Sequence, residues 1–448
     1  MTKTIKLTEG NILKTLVALA LPIIGTSFVQ MAYNLTDMIW VGRLGSNAVA
    51  SVGTAGFFAW LAMAIILIPK IGAEVGVSQA IGQQDSEDVK RAVKHSLQLI
   101  VVLSLIYTAI LLVFRKPLMG FYRLGEEIER DAISYLVIIC LGMLFFTINP
   151  VFSAIFNGAG DSKTPFRVNV IGLLLNIVLD PLLILGPGFF PRLEVKGAAI
   201  ATIIAQFLVT MTFLAEAKKR PELFKGLHIF QKPDIKRIEK IIKLGLPVAF
   251  QSAFFTIIAM IVARIIARWG ALPIAVQKVG AQIESISWMT AGGFQSAMSA
   301  FMGQNYGAKN WRRIYKGYFV GVGIAALIGM IATIVLYFGA GPVFFIFISE
   351  AAAQPYGLIY MKIFSISQFF IALEIITAGA FIGQGKTFPP SIIGIVFNAL
   401  RVPGALILST TSLGLNGIWW SIALSSVLKG LVLCVWYLFY SQKIKKLL

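Results

Sequence analysis

Phe156 to Pro165 reads FNGAGDSKTP, and 225 residues further on Phe381 to Pro390 reads FIGQGKTFPP. Both are short, Gly-rich polar turns between long apolar runs, where the chain reverses direction. Pro22 of Leu21-Pro22 and Pro247 of Leu246-Pro247 are separated by the same 225 residues, as are Gly45 and Gly270. Gly82-Gln83 in SQAIGQQD finds a counterpart in Gly303-Gln304 of SAFMGQNYGA, and Asn176 with Pro181 recurs as Asn398 with Pro403. The chain is one half written twice, and a repeat of that kind governs how every motif in it is read.

What repeats is apolar. A mean hydropathy of +0.82, with 57% hydrophobic and 13% charged residues, excludes a soluble protein. Runs long enough to cross a hydrocarbon core fall near 14–42, 50–82, 93–114, 131–157, 166–187, 196–216, 240–264, 278–303, 316–341, 355–382, 390–409 and 415–441. The first follows MTKTIKLTEGNILK, exceeds a secretory apolar region and lacks a small-residue cleavage site, so it reads as a retained helix. Six spans per half give both halves one orientation, the parallel repeat expected of a rocking transporter. The expected fold is all-α and polytopic, with twelve transmembrane helices in two pseudo-symmetric lobes. Residues 1–217 form the first lobe, 218–239 a basic cytoplasmic linker and 240–448 the second lobe.

The formal charge of +19 would suggest nucleic acid in a soluble protein, but its distribution argues against such a partner. With both termini cytoplasmic, about 25 of the 39 Lys and Arg lie in the termini and even-numbered loops, and about 10 on the other face. Four remain within spans: Lys70, Lys362, Arg401 and Lys429. The linker KKRPELFKGLHIFQKPDIKRIEKIIK, Lys218 to Lys243, suits an anionic membrane leaflet. Cys140 and Cys434 both fall inside spans and read as packing residues rather than disulfide or thiolate ligands. Gly385-Lys386-Thr387 resembles the end of a phosphate-binding loop, but Ala380 stands where that loop needs glycine and no strand precedes it.

Five carboxylates remain inside spans: Asp37, Glu74, Asp180, Glu284 and Glu374. A charge at mid-bilayer costs at least about 2.5–3.5 kcal/mol, so each is a candidate functional group facing the protein interior. The repeat sorts them. Asp37 in YNLTDMIWVG (Tyr33 to Gly42) aligns with Val262 and Asp180 with Val402, so acidic chemistry at these positions belongs to the first half alone. Gln30, Tyr33 and Asn34 precede Asp37 by seven, four and three residues and share its helix face. Asn176 and Asp180 are also four apart, and Asp180 precedes Pro181, whose ring removes a backbone donor. Two carboxylates with amides and a phenol can take up a proton or hold sodium through oxygen ligands; the plainer reading is that they lock helices together. Glu74, near a span end, reads as a helix–helix contact or an interfacial residue. Glu284 and Glu374 read either as a site for a cationic substrate or as a second ion site, and Lys429 either snorkels or pairs with one of them. Met31, Met38, Phe57, Phe58, Trp60 and Met63 line an adaptable apolar cavity or else face lipid.

These residues resemble the multidrug and toxic compound extrusion (MATE) transporters along nearly the whole chain. The resemblance is carried by the two six-span halves, the middle linker, the turns Gly82-Gln83, FNGAGDSKTP and Gly303-Gln304, and GAAIAT from Gly197 to Thr202. It implies export of cationic, lipophilic compounds in exchange for protons or sodium. It further implies a first-lobe cation site of Asp37, Asn176, Asp180 and Thr202, with Gln30, Tyr33 and Asn157 nearby and Pro22 as the bend of the first helix; the shared helix face adds Asn34 to the expected coupling residues. The NorM branch carries acids in spans seven and ten. Span seven here has none, and Glu374 in span ten is out of register by a few residues, so the chain looks more like the DinF-type branch.

The expectation is therefore an antiporter working by alternating access, with protons as coupling ion and sodium at Asp37, Asp180, Asn176 and Thr202 as the alternative. Its substrate cavity would draw on Gln30, Met31, Met63, Asn157, Glu284 and Glu374. No cofactor is expected; the partners are cationic drugs or dyes and membrane lipids, and the protein is expected to be a monomer in the cell membrane. One rival is a flippase for lipid-linked precursors, which Arg401 favours and Asp37 and Asp180 oppose. The other, an intramembrane enzyme, lacks its chemistry: the only histidines, His95 and His228, lie at cytoplasmic segments, and no DxxD pair occurs in a span.

Overall fold

The computed structural model describes residues 5–446 apart from 189, 228–230 and 349, so His228 lies outside the described residues. Its long helices are α1 (Ile12–Gly42), α2 (Ser46–Gly82), α3 (Ser86–Gly120), α4 (Glu126–Gly158), α5 (Lys163–Leu185) and α6 (Glu194–Lys218) in the first repeat. In the second they are α7 (Ile235–Ile266), α8 (Ala271–Gly307), α9 (Trp311–Phe338), α10 (Gln354–Gly383), α11 (Phe388–Ser409, interrupted at Leu400) and α12 (Leu415–Lys445). All but α8 are long and apolar enough throughout to cross a membrane. In α8, Gln277, Lys278, Gln282 and Glu284 interrupt the apolar run without breaking the helix.

Several helices outrun the apolar stretches that reveal them. α3 starts at Ser86 rather than near 93, because the Asp85 side chain accepts a hydrogen bond from Asp88 N at 2.9 Å and so starts the helix in a polar turn. α9 starts in the same way at Asn310, which accepts from Arg313 N.

The repeat is written in the backbone. Gly45 (φ 107°) and Gly270 (φ 97°) precede α2 and α8 in a conformation that a side chain would strain. At the ends of α2 and α8, Gln84 and Lys309 turn left-handed, with Asp85 N donating to Ala80 O and Asn310 N to Asn305 O. This corrects one pairing read from the sequence. The structural partner of Gly82-Gln83 is Gly307-Ala308, one helical turn beyond Gly303-Gln304, because the hydrogen bonds that close the helix set the register. The phosphate-loop look-alike is likewise a plain helix end: Lys386 N bonds Phe381 O as Asp161 N bonds Phe156 O, both at 2.9 Å.

The chain forms two compact units: Gly25–Ala249 with Ile5, and Lys6–Ile24 with Phe250–Leu448. α1 and α7 each pass from one unit to the other within three residues of their prolines, Pro22 and Pro247. In the first unit α4 is the core helix, packed by α2, α3 and α6; in the second α10 has that role, packed by α8, α9 and α12. Small residues permit the approach: a Cβ on Gly383 of α10 would run into the Ser299 carbonyl of α8. Two polar anchors tie loop to helix. His95 Nε2 accepts from Asp234 N at 3.1 Å in the first unit, and in the second Arg313 holds the carbonyls of Leu7, Glu9 and Gly10.

Candidate functional site

In the first unit, Asn176 and Asp180 are fully buried on α5, and Asn176 Nδ2 donates to Asp180 Oδ1 at 2.9 Å. Their spacing of four residues puts both on one helix face. Asp37, in the last third of α1, neighbours Asp180 and Asn176. Tyr33, one turn earlier, donates to the Thr202 carbonyl of α6 at 3.5 Å. Tyr135 of α4 stands close enough to feel both carboxylates. Four oxygens here have no hydrogen-bond partner among the described residues: Asp37 Oδ1, Asp180 Oδ2, Asn176 Oδ1 and Thr202 Oγ1. No lysine or arginine forms an ion pair with either aspartate among the described residues. Two neighbouring carboxylates with spare acceptor oxygens and no basic partner among the described residues need a positive charge between them, either a proton or a small cation.

The other residues singled out from the sequence spread more widely. Asn157 is buried at the end of α4, its Oδ1 unpartnered. Met31 is half-buried, whereas Gln30, Asn34 and Met63 are exposed on their own unit's surface. Glu74 is buried inside α2.

The two second-half acids lie elsewhere, around a cavity of about 440 Å³ wholly within the second unit. Glu284 is fully buried and accepts from Tyr360 Oη at 2.8 Å and Gln368 Nε2 at 3.0 Å. Glu374 of α10 forms an ion pair with Lys429 Nζ of α12 at 3.0 Å, which settles the partner of that lysine. Arg401, 9% exposed, lines the same cavity. In the sequence this arginine stands out only as a charge within a span; its place beside Val402, the counterpart of Asp180, is the signal that marks it as part of a site. The cause is local: Pro403 cannot donate to Ala399 O, α11 breaks at Leu400, and Arg401 opens the second segment. No sequence pattern singled out the buried network of Asn149, whose amide donates to Gln206 Oε1 at 2.8 Å and accepts from Thr210 Oγ1 at 2.8 Å. Asn149 and Glu374 are 225 residues apart, as are Tyr135 and Tyr360, so each unit builds its polar centre at corresponding places.

A duplicated six-helix membrane bundle with a buried polar centre in each half is the architecture of a membrane transporter. The MatE family model matches residues 22–182 and again 247–407, repeating the same 225-residue step, and the chain belongs to that family. Its members are transporters, not enzymes. The chain is 30% identical over 413 residues, 91% of its length and 88% of the relative's, to a probable multidrug resistance protein NorM of Thermotoga maritima. It is 26% identical to a probable multidrug resistance protein YoeA of Bacillus subtilis, covering 93% and 91% of the two chains. Among solved structures, a MATE protein in the straight conformation superposes over all of both chains with a TM-score of 0.90 at 25% identity. One in the bent conformation, 24% identical, gives 0.92 over 100% of this chain and 99% of the other, and supports the fold.

Proposed function

We propose that the protein is a multidrug exporter that expels cationic lipophilic compounds from the cell by alternating access, in exchange for protons taken up at Asp37 and Asp180. The observation that supports this most directly is the proximity of these two carboxylates, with no basic partner among the described residues. Protonation from outside neutralises the pair and changes how α1 packs on α5 and α6; release of the proton to the cytoplasm, where both termini and the 218–239 linker lie, resets it. Drug binding and protonation must weaken one another by the same factor. Pro22, where α1 changes unit, is the point at which that helix can flex.

The four unpartnered oxygens favour a second reading of the same site. Asp37, Asp180, Asn176 and Thr202 supply the hard oxygen donors that sodium prefers, and would hold it in place of the proton. The deciding experiment is efflux of a cationic dye from proteoliposomes under a proton gradient or a sodium gradient imposed separately, for the native chain and for Asp37→Asn. Proton-driven efflux lost in the variant is the expected result. Sodium-driven efflux keeps the site and replaces the ion, whereas efflux that survives Asp37→Asn overturns the assignment of the site.

A further inference from the structure

We propose that the first unit holds an anionic phospholipid, with the phosphate on Lys218 and Lys225 and an acyl chain in the apolar trough beside them. The trough, of about 900 Å³, lies within the first unit, where Leu97 of α3, Phe152 of α4 and Met211 and Leu214 of α6 form its walls. All four belong to apolar runs that cross the hydrocarbon core, whereas Lys218 and Lys225, which also line the trough, stand just past the run that ends near 216. Apolar walls at the depth of the lipid tails, with cations at the depth of the headgroups, match a phospholipid from end to end.

Lys225 belongs to the linker rather than to a span, and the linker is held against the bundle. The single helical turn Pro221–Phe224 sets Phe224 on Phe152, ring centroids 6.1 Å apart, and Phe152 stacks in turn on Phe213 of α6 at 5.5 Å. That docking fixes Lys225 on the rim of the trough. The acids nearest to the two lysines in the chain are already spent: Glu216 pairs with Lys219 at 2.6 Å, and Glu222 shares Arg220 with Asp161. Lys218 and Lys225 are exposed and form no ion pair among the described residues. Two uncompensated cations at the mouth of an apolar trough complement a ligand with a negative head and an apolar body, and repel the ammonium of a zwitterionic head. A general attraction of the 218–243 stretch to an anionic leaflet would need no trough. That the leaflet is the inner one rests on the cytoplasmic placement of the linker proposed above; the binding does not.

The test is native mass spectrometry of the full chain in detergent, titrated with dioleoyl phosphatidylglycerol or with dioleoyl phosphatidylcholine, which share their chains and differ in net charge. The first phosphatidylglycerol should bind about ten-fold or more tighter than phosphatidylcholine, since each lysine beside an anionic headgroup contributes roughly five-fold. Lys218→Gln with Lys225→Gln should bring the two lipids within about three-fold of each other. Lys232→Gln with Lys236→Gln, which removes the same charge elsewhere on the linker, should leave that first site within about two-fold. Ala215→Phe, which fills the trough without changing charge, should weaken the first phosphatidylglycerol by about ten-fold. Excess inorganic phosphate should leave the lipid in place, because the trough holds its chain. Should a variant fail to fold, the native ranking of the two lipids decides. Equal affinity for the two lipids, an equal loss from the Lys232 and Lys236 pair, an indifferent Ala215→Phe or displacement of the lipid by phosphate overturns the proposal.

Discussion

The two halves hold their polar centres at matching places and fill them with opposite chemistry. In the first, Asp37 and Asp180 are neighbours with no basic partner among the described residues, and Asn176 donates to Asp180. In the second, Val262 stands where Asp37 would be, and two acids are balanced by Arg401 and Lys429. Even the shared tyrosine differs in use: Tyr360 donates to Glu284 at 2.8 Å, while its counterpart Tyr135 stands near both aspartates. A centre with unbalanced negative charge must gain and lose a cation to work. A balanced one can stay ionised without a bound cation. Duplication supplied the scaffold twice, and divergence at a few buried positions gave the two centres different charge balance.

The largest expected effect tests the unbalanced centre. Asp37→Asn should reduce gradient-driven dye efflux by on the order of 100-fold, the upper range of coupling between linked sites, with unchanged expression and thermal unfolding. Asp180→Asn should behave alike; a variant that loses folding rather than coupling would make these acids structural. Next comes the balanced centre. Lys429→Met leaves Glu374 buried and unpaired, and should lower unfolding stability in detergent by about 3–5 kcal/mol, while the double change with Glu374→Met should recover most of it. If Lys429→Met is harmless, the charge balance of the second unit is not what the comparison claims.

A smaller effect is expected at the network that stands in the first unit where the second has its ion pair. Asn149→Leu abandons Gln206 and Thr210 and should cost about 1–2 kcal/mol in the same unfolding assay, less than Lys429→Met because no charge is stranded. The tyrosines give the finest contrast. Tyr360→Phe removes a bond to a carboxylate and should cost about 0.5–1.5 kcal/mol, whereas Tyr135→Phe should cost less in stability and show itself in efflux. The reverse order would break the proposed division of labour.

Much of the first centre was legible in the sequence. Asp37 and Asp180 stand out because carboxylates are costly inside a bilayer, and Asn176 is marked by the spacing of a helix turn. Tyr33 and Thr202 are named through the family resemblance, and in the structure Tyr33 donates to the Thr202 carbonyl. Gln30 and Asn34 were harder, because sharing a helix face with Asp37 does not say which part of that face the neighbouring helices cover; both remain exposed on their unit, as does Met63 of α2. The second centre was legible as a set of charged residues but not as an arrangement. Which carboxylate Lys429 meets depends on how α12 lies along α10, and nothing local encodes that.

By itself the sequence determined that the protein is a twelve-span membrane chain, that it is one unit written twice, and where its costly charges fall. Those properties follow from hydropathy, fixed spacing and desolvation, which act residue by residue along the chain. The tertiary structure alone decided the exact register of the repeat, the exchange of the first halves of α1 and α7 between units, and the pairing of Glu374 with Lys429. It also decided that Arg401 has no carboxylate paired with it among the described residues. Each of these depends on the sideways fit of helices far apart in sequence, where a shift of one turn changes every partner.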